Sequence, residues 1–306
     1  MLKWLLEGDP AIRWQVQRDL LGASARVYEK ERRRIAANGW GSQLLCRQDE
    51  DGSWGGIYSP KWTSTTYTLL QLRDFGLPND NAQAQRGCET FFFRGLERDG
   101  GLNWFKSFHH SETCVNGMAL SLLAYFRSTD ARVHSIAEYL LREQMADGGW
   151  NCQRQSGATH GSFHTTISVL EGLREYAQVA DPAPAELTRA VGRGQEFLLC
   201  HRLYKSDHTG RVVAGDMTRL HFPPRWHYDI LRALDYFRSV DAKRDERMQD
   251  GVNLVRSRQT TDGRWLLSQN YPGRVYFEME HAGHPSRWNT LRALRVLNWW
   301  DQGQIG

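Results

Sequence analysis

The sequence predicts an all-α protein, an (α/α)6 toroid of alternating inner and outer helices in a single domain over residues 1–306. Three observations predict it. A polar Asp-Gly turn signature, carrying tryptophan in three of its four copies, recurs at Gln48–Gly56, Arg98–Gly101, Gln144–Trp150 and Gln259–Trp265. Each copy follows a segment with apolar residues at helical steps of three and four, and precedes a second segment that is apolar over more of its circumference. No strand-like alternation of any length interrupts the pattern.

In chain order, Pro10-Ala11-Ile12-Arg13-Trp14 opens the first inner helix, with Pro10 at a first helical position where its missing amide costs nothing. The signature at Gln48 leads to an inner segment registered on Leu72. Cys88, Phe91, Phe92, Gly95 and Leu96 mark the next outer segment, and Val115–Phe126 the inner one that follows. Val133, Ile136, Ala137, Leu140 and Leu141 put one apolar face on an outer helix before Gln144, and Ile167–Leu173 is its inner partner. A worn copy at Lys205–Gly210 keeps the polar turn but loses the tryptophan, and leads to Ile230–Phe237. Met248, Val252 and Val255 precede the last signature, and the last inner segment centres on Leu294. Leu122–Asp130 matches Ala233–Asp241 most closely. Leu72, Leu123, Leu173, Leu234 and Leu294 thus register five copies and Pro10 begins a sixth, at a period of roughly 50–60 residues typical of repeat architectures. Helices apolar nearly all round are expected inside. The signature's glycines suit left-handed helix ends, so Asp51, Asp147, Asp262, Trp54, Trp150 and Trp265 are expected to be scaffold.

Composition excludes several classes. The 306 residues carry a net charge of +4 with scattered arginines, and acids interrupt the one basic run, Glu29–Arg34. A phosphate-tracking protein concentrates its charge, so no nucleic-acid partner is expected. No stretch approaches the roughly 18 apolar residues of a membrane span, and Met1–Pro10 does not read as a secretory signal. A cytoplasmic location is expected. Five widely spaced cysteines argue for reduced thiols or a metal ligand over a disulfide framework. Twelve tryptophans exceed what a core of this size needs, which suits turn anchors, an apolar cavity, or both.

Some polar residues are not required by the repeat. Eight of the eleven histidines lie in loops entering inner segments: His109, His110, His160, His164, His221, His227, His281 and His284. Trp62, Trp226 and Trp288 stand in the same loops beside Lys61, Arg225 and Arg287, and Asp229 begins a helix just beyond. These residues read either as stacked caps or as the aromatic, cationic mouth of a pocket for an apolar ligand with an anionic head. Clustered imidazoles also suit proton transfer near neutral pH.

Gln-x-x-x-Gly-x-Trp repeats before an inner helix resemble the terpenoid cyclase and protein prenyltransferase superfamily, including its squalene cyclase-like members. The resemblance runs from Gln48 to Leu294 and implies the α/α toroid. Class II cyclases of that superfamily carry an Asp-x-Asp-Asp acid. The sequence has no such tetrad, and Asp49-Glu50-Asp51 is the nearest stretch. Prenyltransferase β subunits bind zinc through Asp-x-Cys at the start of one inner helix and His at the start of the next. Here Glu112-Thr113-Cys114 and Phe163-His164-Thr165 match, and Cys114 and His164 each lie nine residues before Leu123 and Leu173. The resemblance therefore implies a Zn2+ site of Glu112, Cys114 and His164, three ligands with an open fourth position. It also implies anion contacts from Lys106, His109 and His110. Val115 stands where that family has an aromatic residue, and no partner subunit is implied.

Three functions remain open on this reading. The first is a zinc-bearing prenyltransferase or cyclase-like enzyme with an isoprenoid or similar lipophilic substrate in a central cavity, contacted by Lys106, His109, His110, Trp62, Arg225, Trp226 and Trp288. The second is a metal-free cyclase-like isomerase or lyase with His227 or Asp229 as acid. The third is a non-catalytic lipid- or protein-binding toroid.

Overall fold

The signature's left-handed glycines do not lie at the helix ends that the sequence suggests, where the caps Cys46, Glu143 and Arg258 are right-handed. They lie beyond those ends, in a tight turn whose glycine amide donates three residues back. In the computed structural model, which describes residues 1–105 and 110–302, Gly52, Gly100, Gly148 and Gly263 have φ of 90°, 85°, 88° and 84°. The residue types around them make the same bonds each time. Asp51, Asp99 and Asp147 accept from the amide two residues on. The Gln48, Gln144 and Gln259 side chains donate to the carbonyls of Gly52, Gly148 and Gly263. The backbone N–H groups of Trp54, Trp150 and Trp265 donate to the hydroxyls of Thr65, Thr166 and Thr290 at 2.9–3.0 Å. In the Asp99 copy Leu102 replaces the tryptophan, and the Asn116 side chain accepts from its amide at 2.7 Å. Trp54, Trp150 and Trp265 are fully buried, which stabilises each turn by roughly 3 kcal/mol on area grounds. The aspartates and tryptophans are therefore scaffold, as the repeat predicts.

Between these turns the chain is helical. The helices are α1 (Leu2–Leu6), α2 (Pro10–Asp19), α3 (Ala25–Arg33), α4 (Gly39–Leu45), α5 (Thr65–Phe75), α6 (Ala82–Glu89), α7 (Thr113–Tyr125), α8 (Arg132–Arg142), α9 (Phe163–Tyr176), α10 (Ala185–Cys200), α11 (Ile230–Ser239), α12 (Gln249–Ser257) and α13 (Arg287–Gln302). Asp9 caps α2 by accepting from the Ala11 amide, with Pro10 at the first helical position. The predicted outer segment from Cys88 to Leu96 is shorter than its apolar spacing suggests. Helix α6 ends at Glu89, tightens into a 3-10 turn over Thr90–Phe92, and the chain reverses at Gly95 with φ 75°. Beta structure among the described residues is confined to isolated bridges such as Gln259 with Trp265.

The chain folds as two compact units. A central unit comprises residues 47–73 and 78–198; a terminal unit comprises 1–46, 74–77 and the described part of 199–306. In the central unit α7 is buried on every side from Val115 to Ala124 and packs against α9, itself buried from Thr165 to Leu173. Glycines set the approach. A Cβ on Gly117 would stand 2.8 Å from the Val169 nitrogen, and one on Gly172 would stand 2.5 Å from the Gly117 carbonyl oxygen. Both obstacles are backbone and cannot swing aside. Across the same core Arg73 pairs with Glu171 at 3.1 Å and donates to Ser121 Oγ at 2.7 Å. Gly117→Ala would raise intrinsic helix propensity by about 1 kcal/mol, yet overpacking costs typically 1–3 kcal/mol or more. The net expectation is a lower urea midpoint for Gly117→Ala and a larger drop for Gly172→Ala. Unchanged midpoints in both would show that the helices separate freely.

In the terminal unit Trp14 Nε1 donates to the Phe75 carbonyl at 2.7 Å. A Cβ on Gly76 would stand 2.0 Å from the Trp14 ring. Helices α2, α11 and α13 enclose a buried polar network. Arg295 donates to both carboxyl oxygens of Asp235, to Gln15 Oε1 at 2.8 Å and to Asp19 at 3.2 Å. No helix among the described residues is long and apolar enough to cross a membrane.

Candidate functional site

Chemistry-bearing side chains gather in each unit separately. In the central unit, Glu112 is the N-cap residue of α7 and makes no side-chain capping bond. Burial raises its carboxyl's affinity for a proton, and the charges of His110 and Lys61 oppose that rise. Cys114 and His164 are each the second residue of their helices, α7 and α9, and each is half-buried. The register read from the sequence therefore holds. Among the described residues no group of three or more His, Cys, Asp or Glu side chains is placed to hold a metal ion, so no zinc site is shown at Glu112, Cys114 and His164.

Cys114 and Cys152 influence each other's protonation. The neighbouring Cys152 side chain, and burial after it, push the Cys114 thiol up. The Cys114 side chain pulls the Cys152 thiol down to about 7, with help from the Thr165 hydroxyl. Thr165 also accepts from the Cys152 amide at 3.3 Å. Tyr58 lies near the thiols and Glu112; burial pushes its phenol up, and its hydroxyl bonds that of Tyr67 at 2.9 Å. Trp62 stands edge-on to Tyr67 at 4.8 Å, with the Lys61 ammonium 6.0 Å from its ring. Lys106 and His109 lie outside the described residues.

The terminal unit holds the other sequence-selected residues, Arg225, Trp226, His227, Asp229 and Trp288. Asp229 begins α11 as expected and is fully buried. Its Oδ1 accepts from the Arg232 amide at 2.7 Å and its Oδ2 from the His221 amide at 3.3 Å. The imidazole that faces this carboxylate belongs to His221, also fully buried. His221 Nδ1 is 3.8 Å from Asp229 Oδ2, and Nε2 is 3.5 Å from Oδ1 of the half-exposed Asp216. Neither ring nitrogen makes a hydrogen bond of normal geometry. Burial alone would push the Asp229 carboxyl up, but the His221 ring and the Arg292 charge outweigh it and hold it below the ordinary carboxylate range.

Aromatic rings surround this array. Tyr271 stacks on His221 at 4.6 Å and on His227 at 3.7 Å, and Trp226 covers the other contact of His227 at 3.7 Å. His227 thus lies further out in the stack than His221. Phe222, next in sequence to His221, stacks on Trp288 at 4.1 Å, and Phe75 lies 5.7 Å from the same indole. Arg225 is buried with φ 57°. Arg287 leaves Trp288 and lies 4.5 Å over Trp4. Asp216, His221 and Tyr271 carry the geometry, yet only the histidine stood out in sequence, as one member of a group. The available signal was density: Asp216, His221, His227 and Asp229 fall within one stretch that has no helical periodicity.

An all-α protein with a buried aspartate-histidine array walled by aromatic rings is the class these observations define. No family model matches the sequence. A drimenyl diphosphate synthase from Streptomyces showdoensis is 26% identical over 153 residues, which take in 47% of this chain and 28% of that protein's length. Among solved structures, a protein from Actinoplanes aligns with a TM-score of 0.49 at 14% identity, over 95% of this chain and 90% of that one. A variant of the type II terpene cyclase MstE from Scytonema, in complex with geranylgeranyl dihydroxybenzoate, aligns with a TM-score of 0.45 at 17% identity, over 95% and 87% of the two chains. The chain is similar to terpenoid cyclases, as its repeats suggested.

Proposed function

We propose that the chain is a terpenoid cyclase-like enzyme that protonates an isoprenoid and cyclises or isomerises the resulting cation, without a metal step. The observation that carries this reading is the placement of His221 between two carboxylates, one buried and one open to water. Protonating an alkene needs a strong acid in a place that excludes water, because water would capture the cation. A carboxyl whose ionised form is stabilised is a stronger acid when it does carry a proton, and Asp229 is held in that way. In this reading Asp229 delivers the proton, His221 Nδ1 replaces it, and His221 Nε2 is reloaded through Asp216. Faces of Trp288, Phe222 and Tyr271 would stabilise positive charge by cation–π attraction, worth about 0.5–2 kcal/mol per ring. The similarity to a drimenyl diphosphate synthase supports the substrate class. A single ring of alternating inner and outer helices belongs to the same proposal, supported by the repeated turn bonds. So does an anionic head group on the substrate, with Arg225 as its contact.

The test is incubation of the purified chain with linear polyprenyl diphosphates in deuterium oxide, followed by mass spectrometry of the products. The expected product is cyclic or isomerised, retains the diphosphate and carries one solvent deuterium. Release of diphosphate without deuterium would assign ionisation or prenyl transfer instead. No product from any chain length would leave binding as the activity and overturn the enzyme reading.

A further inference from the structure

Two arginines of the terminal unit are not used by the proton-transfer chemistry, and one indole holds both. The guanidinium of Arg264 lies 4.3 Å and that of Arg287 4.5 Å from the ring of Trp4, in α1. We propose that Arg264 and Arg287, preorganised on Trp4, form a binding site for a phosphate group, separate from the aspartate-histidine array.

Both side chains are fixed before any ligand arrives. Arg287 Nε donates to the Trp4 carbonyl at 3.0 Å, and the Arg287 amide donates to Glu280 Oε1 at 2.6 Å. The stem of Arg287 lies in a slot that Gly8 leaves open, where a Cβ would stand 2.8 Å from Arg287 Cδ. Arg264 follows the left-handed Gly263 of the last signature turn, and Thr260 grips its backbone twice. The Thr260 hydroxyl accepts from the Arg264 amide at 3.1 Å, and the Thr260 amide donates to the Arg264 carbonyl at 2.8 Å. Arg264 Nε is buried and lies 3.3 Å from Asp262 Oδ2. A guanidinium is weakly hydrated and stacks well on an aromatic face, so the indole holds each charge without consuming its donors.

What these contacts leave over defines the ligand. Each guanidinium turns its Nε to the protein, and among the described residues no acceptor meets the terminal amino groups of either. Both arginines are half-buried, so those groups stay within reach of a solute. Asp262 is engaged at Arg264 Nε, and Glu280 meets Arg287 through the backbone. Two like charges on one ring therefore present two unfilled forks. A carboxylate has two oxygens and is matched by one fork. A phosphate monoester has three terminal oxygens, enough to accept from two forks at once, and its second negative charge answers the second arginine. Lys3, exposed and next in sequence to Trp4, adds a third cation nearby.

The experiment is isothermal titration calorimetry of the intact chain with inorganic phosphate, at an ionic strength held constant with sodium chloride. The expected result is saturable binding of one phosphate, weakened about tenfold or more in Arg264→Gln and likewise in Arg287→Gln, as the loss of one charge-assisted pair requires. Gly8→Ala, which displaces Arg287 and removes no charge, should weaken binding as well. A soluble ester and a lipid headgroup share this chemistry, so phosphatidylcholine vesicles with and without phosphatidic acid form a second arm, read by co-sedimentation. Retention on the phosphatidic acid vesicles with no heat from free phosphate would assign the site to a headgroup; heat without retention would assign it to a soluble ester. Neither response, or responses unchanged in both arginine variants, would overturn the proposal. Arg264→Gln leaves the bond between Arg287 and Trp4 in place and decides the matter if Arg287→Gln fails to fold. No arm measures turnover, so the result stands apart from the fate of the cyclase reading.

Discussion

Asp229→Asn is expected to lower product formation from a polyprenyl substrate by about 10²–10⁴-fold, the usual worth of a positioned proton donor. The substitution is chosen because it separates the acid from the scaffold. Asn is as good an N-cap as Asp, so its side-chain oxygen can still accept from the Arg232 amide that Asp229 Oδ1 takes at 2.7 Å. Arg292, which loses one negative neighbour, keeps the Asp235 carboxylate at 3.7 Å and its bond to the His221 carbonyl at 3.1 Å. What the amide cannot do is carry the proton. His221→Phe should reproduce most of the loss by cutting the route from Asp216, and Asp216→Asn should slow turnover by removing the carboxylate that faces His221 Nε2 at 3.5 Å. A melting temperature close to that of the parent, with turnover lost, would place Asp229 in the chemistry. Full turnover in Asp229→Asn would return it to a plain helix cap.

The same carboxyl predicts a direction with pH. Its folded affinity for protons is below the ordinary range, so the protonated acid is a minor form at neutral pH and grows as pH falls. Turnover in Asp229-dependent chemistry should therefore rise on acidification until the fold itself weakens.

The scaffold was legible because it is written redundantly. Four copies of one turn, each with a glycine that must be left-handed and a residue whose amide meets a threonine or asparagine of the next helix, leave little freedom of interpretation. The start of α11 at Asp229 and the equal register of Cys114 and His164 followed from the same periodicity. The candidate site was less legible because it lies where the repeat is broken. His221 comes to Asp229 through an irregular loop that no spacing rule describes, and Tyr271 reaches it from a segment with no helix at all. Cys114 shows the opposite case. Its register was right, but register fixes only a height on a helix and does not tell which loop residues, such as Cys152, influence the side chain there. The two positions after the signature tryptophan vary freely between copies, as Gly55-Gly56, Asn151-Cys152 and Leu266-Leu267. Nothing in the repeat therefore marked the second of them as such a residue.

Arg295→Met is expected to destabilise the terminal unit by about 3–5 kcal/mol, the cost of leaving a buried carboxylate without its main cation. Arg295 is the hinge of the network, since it alone bonds Asp235, Gln15 and Asp19 together. Without it Asp235 keeps Arg238 at 2.9 Å and the more distant Arg292, and Asp19 keeps Arg18. Burial pushes the Asp235 carboxyl up, but the Arg295 and Arg238 charges win and hold it far below the ordinary carboxylate range. Asp19 is held low in the same way. A carboxyl whose folded value is depressed adds stability that is complete above its unfolded value of about 4 and is lost as pH falls toward the folded value. The parent should therefore lose urea resistance between about pH 5 and pH 3, and Arg295→Met should show a shallower loss because the guanidinium that depressed both carboxyls is gone. Asp235→Asn added to Arg295→Met should recover part of the lost stability, since removing both charges costs less than stranding one. Additive losses in that double variant, with an unchanged acid slope, would mean that the two residues stabilise the unit independently and that the network is not one electrostatic unit.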